Sequence, residues 1–405
     1  MIMKHSSHIL RTLFLSLALL AAALPSDARK PRAKYVIVIS MDGFRHDYPD
    51  LYHTPNLDQM ERNGIAADMI PSYPSSTFPN HYTIATGLVP DHNGLVNNTF
   101  WDEDLQKMYS IGGTVKEDPA FYLGEPLWNT AERQGVKAGI TYWVSSEFGV
   151  GGRNPSYFLK YDDNLISFEE RIDRTLSLMK LPKAERPRLL MIYFDEPDHA
   201  GHQYGPLDLR VADQVERVDR MVGRLLDGLK AAGLARKTDL IVLADHGMAE
   251  ISPLRVVNPY KYIKEEWCER IIFGTPTAIF SKDAACRDSL YNALQAMEHV
   301  RVWKKEEIPA ELNYGTSPRI GDIVIDPDLG WQISSRFPTN RGTHGFDPAY
   351  TEMHTVFRAE GPDFKKGIRI PAFRNTAIYP LVCRLLRIEP APNDGRIEEV
   401  LPMLR

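Results

Sequence analysis

Three short runs of unbroken apolar residues, KYVIVIS (34–40), LLMIYF (189–194) and DLIVLA (239–244), each stop at or just before an acidic residue. Continuous apolar runs of this length read as strands buried on both faces, the kind found in parallel sheets covered by helices. Helical signals lie between them. Thr54-Pro55 followed by Gly64 reads as a capped helix, with Pro in its first turn and Gly at its end. PSYPSSTFPN (71–80) reads as a loop leading into a helix from about Phe78 to Gly87, and residues 208–232 repeat apolar positions at helical spacing. The alternation predicts an α/β fold: a central, mostly parallel sheet with helices on both faces. Residues 260–335 break the pattern. TPTAIF, VRVWKK and DIVIDP read as strands around the helix AACRDSLYNALQAM, which makes a small inserted α/β subdomain.

The first residues read as a targeting segment. Lys4, His5, His8 and Arg11 precede the apolar run LFLSLALLAAAL, with small residues after it. The run is too short to span a bilayer, so residues 1–28 are expected to be a secretory signal peptide, with an uncleaved anchor as the alternative. Residues 34–390 then form the main domain and 391–405 a tail. No later segment is long and apolar enough to span a bilayer, so export to the periplasm or the medium is expected, with no span in the mature chain. The net charge of −5, with scattered basic residues, argues against binding duplex nucleic acid. Cys268, Cys286 and Cys383 lack metal-type spacing and read as structural; a Cys268–Cys286 bridge stays open.

Chemistry-bearing residues gather at the ends of the strand-like runs. Asp42 follows the first run, Asp198 and His202 fall in DEPDHAGH after the second, and Asp245-His246 follow the third. His344 lies in GTHGFD. An Asp after a strand is usually a turn residue. Ligands of parallel sheets, however, bind beyond the carboxyl ends of the strands, and turn chemistry does not explain the joint placement. Three Asp and three His suit zinc. Asp198 and His202 share a helical face at i, i+4. Asp245 and His246 need irregular backbone to reach one ion, which Gly247 is expected to allow, as Gly342 and Gly345 are around His344. Thr77 opens TFPNH at a helix start, where backbone N–H groups favour phosphate, and is a candidate nucleophile, with Ser75 and Ser76 as rivals. Asn98 is a candidate donor to a developing oxyanion, with Asn97 as its rival.

The motifs SMDGFR, PSYPSSTFPNHYTIATGLVPDHNGLVNN, GEPLWNTAERQG, YFDEPDHAGHQYGP, ADHGM and GTHGFD, in this order, resemble the nucleotide pyrophosphatase/phosphodiesterase family of the alkaline phosphatase superfamily, over about residues 34–390. The resemblance implies two zinc ions, one held by Asp42, Thr77, Asp245 and His246, the other by Asp198, His202 and His344. It implies Thr77 as nucleophile, Asn98 as phosphate-oxygen donor, Phe78 and Tyr161 as a nucleobase sandwich and Tyr193 as a pocket tyrosine. The expected reaction is hydrolysis of nucleotide phosphodiester and pyrophosphate bonds through a phospho-threonine. The alternative keeps this chemistry on choline- or lipid-type phosphodiesters, whose cationic head group aromatics can also cage. The loop after Tyr142-Trp143 departs from the family's usual pattern, which bears on base recognition.

Overall fold

The computed structural model describes residues 33–161 and 165–405. The signal-peptide reading of residues 1–28 lies outside them. The predicted sheet is present. Its strands run in the order Ile368–Arg369, Ile65–Ile70, Thr355–Glu360, Thr238–Leu243, Tyr35–Met41, Leu189–Phe194, Ala138–Thr141, Tyr157–Leu159. Only Thr355–Glu360 runs antiparallel to its neighbours. Among the described residues no helix is long and apolar enough to cross a membrane.

The three apolar runs are the three central strands. Tyr35–Met41 pairs in parallel with Leu189–Phe194 on one side and Thr238–Leu243 on the other. Strand side chains alternate between faces. Val36, Val38, Leu189 and Met191 therefore point one way, toward Tyr82 and Ile84 of the Thr77–Thr86 helix and Leu381 and Leu385 of the Ile378–Leu386 helix. Ile37, Ile39, Leu190 and Ile192 point the other way, toward the Pro55–Asn63, Phe168–Met179 and Leu209–Ala231 helices. The last of these buries Val211, Val215, Val218, Val222, Leu225 and Leu229 in one stripe, each worth about 1.5–3 kcal/mol of burial.

Besides the two-residue strands Ile368–Arg369 and Phe373–Arg374, which also pair with Ile65–Ile70, four strands of this sheet escape the apolar-run criterion. Ile65–Ile70 is alanine-rich, Ala138–Thr141 and Tyr157–Leu159 are very short, and Thr355–Glu360 carries Arg358. Arg358 is buried in the sheet because Glu61 pairs with it at 3.0 Å. A second, antiparallel sheet is built from Cys268–Ile272, Thr277–Ser281, Ile323–Pro327 and Val300–Lys304, with Leu290 and Leu294 of the Ala284–Leu294 helix packed on it. The three cysteines are all free thiols, Cys268 and Cys286 included.

The Pro55–Asn63 helix corrects one expectation. Thr54 stands at its N-cap but makes no capping hydrogen bond. The cap comes from Asp219 on the neighbouring helix, whose carboxylate accepts from the Leu57 N–H at 2.9 Å and the Asn56 N–H at 3.3 Å. A tertiary carboxylate thus does what sequence assigns to a local hydroxyl. Asp219→Ala orphans both donors and is expected to cost about 1–3 kcal/mol in urea unfolding, more than Thr54→Ala; the reverse order would show that the local hydroxyl is the cap.

Candidate active site

The site forms where the three central strands end. Asp42 follows Tyr35–Met41, and its N–H donates to Phe194 O at 2.9 Å. Phe194 ends the next strand, and the cap of the Asp198–Tyr204 helix brings Asp198 N–H to Asp42 O at 3.0 Å. Asp245 and His246 leave the third strand in irregular backbone, as adjacent ligands require. Of the glycines expected to allow this, Gly345 has the left-handed φ of +101°. Gly247 has a different reason. A Cβ there would lie 2.0 Å from Glu352 O, so close approach of the Glu352–His354 backbone excludes every other residue.

All six Asp and His residues meet. Asp42 Oδ1 lies 3.3 Å from His246 Nε2, and Asp245 Oδ2 3.0 Å from the same nitrogen. Asp198 Oδ2 lies 3.4 Å from His202 Nε2, and its Oδ1 3.9 Å from His344 Nε2. Three overlapping donor sets result, Asp198–His202–His344, Asp42–Asp198–His246 and, with the buried His81, Asp42–His81–Asp245, so that Asp198 and Asp42 each belong to two. The His246 and His344 rings stack at 3.6 Å. Each imidazole is oriented in the same way. Nδ1 meets a backbone carbonyl, Gly247 O for His246, Gly342 O for His202 and Ser75 O for His344, all at 2.8–3.1 Å. A donating Nδ1–H leaves the Nε2 lone pair facing the carboxylates, the arrangement of metal-binding histidine.

The carboxylates make the electrostatic case for cations. Asp42 Oδ1, Asp198 Oδ1 and Asp245 Oδ2 are buried without a hydrogen-bond partner among the described residues. Burial, then the charges of Asp245 and Asp198, push the Asp42 carboxyl well above the usual range, although Tyr193 donates to its Oδ2 at 2.7 Å. Burial also works against ionised Asp245, but the imidazoles of His246 and His81 outweigh it and hold its carboxyl well below the usual range. Burial and the neighbouring His246 and His202 push His344 toward its neutral, ligand-competent form. Orphaned carboxylate oxygens beside bare imidazole nitrogens fit divalent metal of the zinc type.

Thr77 is the first residue of the Thr77–Thr86 helix, and Ser76 occupies the cap position. Its hydroxyl lies 2.9 Å from His246 Nε2 rather than on its own helix. The rival hydroxyls are engaged elsewhere. Ser75 donates to Phe346 O at 2.7 Å and accepts from Gly345 N–H at 3.1 Å, pinning the His344 loop, and Ser76 meets Asn97 Oδ1 at 3.4 Å. Asn97 also donates to Pro276 O at 3.3 Å. Asn98 accepts from Phe78 N–H at 3.0 Å, which fixes its amide and leaves the NH2 end without a protein partner among the described residues. Pro79 has no N–H, so of the first three helical residues only Thr77 keeps one to offer an anion. The helix terminus therefore supplies less of an anion cradle than its position suggests.

Beside Thr77 opens a cavity of about 240 Å3. Phe78, Tyr161 and Tyr193 all line it, with Trp143 and Phe148 from the aromatic-rich segment 142–161 that follows the Ala138–Thr141 strand. Tyr157 and Phe158 of that segment instead form the sheet's edge strand. Glu147 also lines the cavity, its carboxyl raised by burial. A second cavity, lined by Asn98, His202 and His344, is walled by Phe273–Thr275 ahead of the Thr277–Ser281 strand. Sequence reasoning passes over Glu147 and His81. His81 is fully buried against Asp245 at 3.2 Å, and its signal is its place one helical turn after Thr77.

A family model described as type I phosphodiesterase / nucleotide pyrophosphatase matches residues 36–347. Human ectonucleotide pyrophosphatase/phosphodiesterase family member 1 is 35% identical over 378 residues, 89% of this chain and 40% of that protein. Bovine family member 3 is 34% identical over 381 residues, 89% of this chain and 43% of that protein. The chain thus spans about two fifths of the length of these curated relatives. The structure of murine ectonucleotide pyrophosphatase/phosphodiesterase 5, as an inactive threonine-to-alanine variant in complex with AMP, aligns with a TM-score of 0.87 at 33% identity, covering 92% of this chain and all of that one.

Chelation and charge removal should separate the cluster's two faces. A metal at a hundred times its dissociation constant adds about 2.7 kcal/mol per site, so stripping is expected to lower Tm by several degrees. In stripped protein, Asp42→Asn removes one of three mutually repelling carboxylates and raises Tm. In metal-loaded protein the same change lowers it. Calorimetry with and without chelator reads both signs, and a loss of Tm in both states would remove the repulsion argument.

Proposed function

The chain belongs to the type I phosphodiesterase / nucleotide pyrophosphatase family, and from that premise we propose that it is an exported, two-zinc hydrolase of nucleotide phosphodiester and pyrophosphate bonds. One observation carries the reading: the Thr77 hydroxyl, 2.9 Å from His246 Nε2, stands where the Asp/His cluster meets the aromatic cavity. Asp42, Asp245, His246 and Thr77 hold one zinc; Asp198, His202 and His344 hold the other. Bound zinc acidifies a hydroxyl and neutralises phosphate charge, which a threonine needs to act as a nucleophile.

The chain's own residues do the rest. Phe78 and Tyr161 take the nucleobase between them, which sets the phosphate over Thr77. Thr77 Oγ1 attacks phosphorus in line, the Oγ–P bond forms, and the bond to the leaving group breaks. From a nucleoside triphosphate the leaving group is pyrophosphate. The free NH2 of Asn98, held by the Phe78 N–H on its oxygen side, donates to a non-bridging oxygen as charge develops. Water then cleaves the phospho-threonine and releases the nucleoside monophosphate. Tyr193 keeps Asp42 in register through its 2.7 Å hydrogen bond. The AMP complex of the murine relative, and the inactivity of its threonine-to-alanine variant, support a nucleotide substrate and a threonine nucleophile.

Thr77→Ala is expected to lower turnover of ATP and of a chromogenic nucleotide diester roughly a thousandfold or more, with zinc content nearly unchanged. Near-normal turnover by this variant removes Thr77 from the role. Kinetics on ATP against glycerophosphocholine separate the nucleotide reading from the choline-type one, since a higher kcat/KM for the latter overturns the substrate assignment.

A further inference from the structure

The mechanism above leaves His81, buried at the centre of the site, without a part. Its ring is 0% exposed and packs edge-on against Trp143 at 5.3 Å and Tyr193 at 5.0 Å. A buried imidazole is tolerated only when its nitrogens find partners. His81 Nδ1 lies 3.0 Å from Thr77 O and 3.2 Å from Asp245 Oδ2, and Nε2 lies 2.9 Å from Ser40 Oγ. Both oxygens facing Nδ1 are acceptors, so Nδ1 carries the hydrogen. Nε2 then accepts from the Ser40 hydroxyl, which has a proton to give. The hydrogen bonds run in one direction, from Ser40 through His81 to Thr77 O, and the same Nδ1–H edge faces Asp245 Oδ2 at 3.2 Å as an electrostatic contact.

Ser40 lies on the central Tyr35–Met41 strand, Asp245 follows the adjacent Thr238–Leu243 strand, and Thr77 opens the helix packed on that sheet. His81 is the side chain that touches all three. We propose that His81 is a positioning residue: it ties the carboxylate of Asp245 to the first turn of the helix that carries Thr77, so that ligand and nucleophile keep one register. This rests on Asp245 being a zinc ligand, as assigned above. The competing role is direct ligation, because donor atoms of Asp42, His81 and Asp245 all lie within 4.8 Å of one another. Ligation needs a bare nitrogen facing the carboxylates. Nδ1, which faces them, carries the hydrogen, and the Nε2 lone pair is turned to Ser40. Gly43 N–H holds the other oxygen of Asp245 at 3.2 Å, which leaves Oδ2 as the oxygen His81 orients.

Three measurements test the assignment. In metal-stripped wild type, nitrogen-15 NMR of the His81 ring is expected to show Nδ1 protonated and Nε2 bare; the opposite tautomer overturns the proposal. In zinc titrations against a competing chelator, His81→Leu should weaken one of two equivalents about 10–100-fold, while His81→Asn, whose amide keeps an N–H near the place of Nδ1, recovers most of it. Loss of a whole equivalent in His81→Asn makes His81 a ligand, and unchanged affinity in His81→Leu makes it packing; either result sinks the positioning role. With a chromogenic nucleotide diester at saturating zinc, His81→Asn should lower kcat several-fold with KM little changed, because the tie sets where Thr77 stands rather than how the base binds. A change in KM alone counts against it. If His81→Leu does not fold, the wild-type tautomer and the His81→Asn titration still decide. Failure of the nucleotide-hydrolase reading is distinguishable, since it appears as wild-type protein that binds no zinc or as an active Thr77→Ala, whatever the tautomer.

Discussion

Three buried carboxylates that face one another are the constraint on which the rest of this molecule depends. Asp42, Asp198 and Asp245 each present an oxygen without a hydrogen-bond partner among the described residues. Like charges in a low-dielectric interior repel strongly, and burial adds its own penalty to each ion. A fold that keeps such a cluster needs either protons or cations to occupy it. The Nε2 atoms of His202, His246 and His344 face the same space as these carboxylates, and a mixed carboxylate–imidazole set favours cations.

The architecture holds this unfavourable arrangement in place. Adjacent parallel strands end together, so residues far apart in sequence emerge side by side. Asp42 N–H bonds to the end of the second strand, and Asp42 O receives the N–H of Asp198. Backbone carbonyls fix the three imidazoles, and Ser75 locks the loop carrying His344 to the loop carrying Thr77. The stability of the site is supplied by the two apolar layers on either side of the sheet. The aromatic cavity belongs to the same construction, since Tyr193 at once lines it and binds Asp42.

Much of this was legible in the chain. The central strands are apolar on both faces, and periodicity alone finds Tyr35–Met41, Leu189–Phe194 and Thr238–Leu243. The long amphipathic helix Leu209–Ala231 is equally plain. The strand containing Arg358 is not, because its charge is neutralised by Glu61 from another element. Thr54 misleads as a cap because Asp219, over 160 residues away, reaches the orphan N–H groups first. Gly247 misleads as a flexible turn because the backbone of Glu352 excludes any Cβ. Each miss is a case where a distant group meets a need that sequence reasoning assigns to a near one.

The sequence by itself determined the chemistry available: three Asp, three His and a hydroxyl, each at the end of a strand or the start of a helix, as a parallel sheet requires of its ligands. It left Ser75, Ser76 and Thr77 equal by spacing, and so too Asn97 and Asn98. In the tertiary structure these side chains differ in their partners. Ser75 and Ser76 spend their hydroxyls on the His344 loop and on Asn97, so Thr77 alone of the three turns its oxygen to His246. Hydrogen bonds decided this, and their partners come from segments that only the folded sheet brings together.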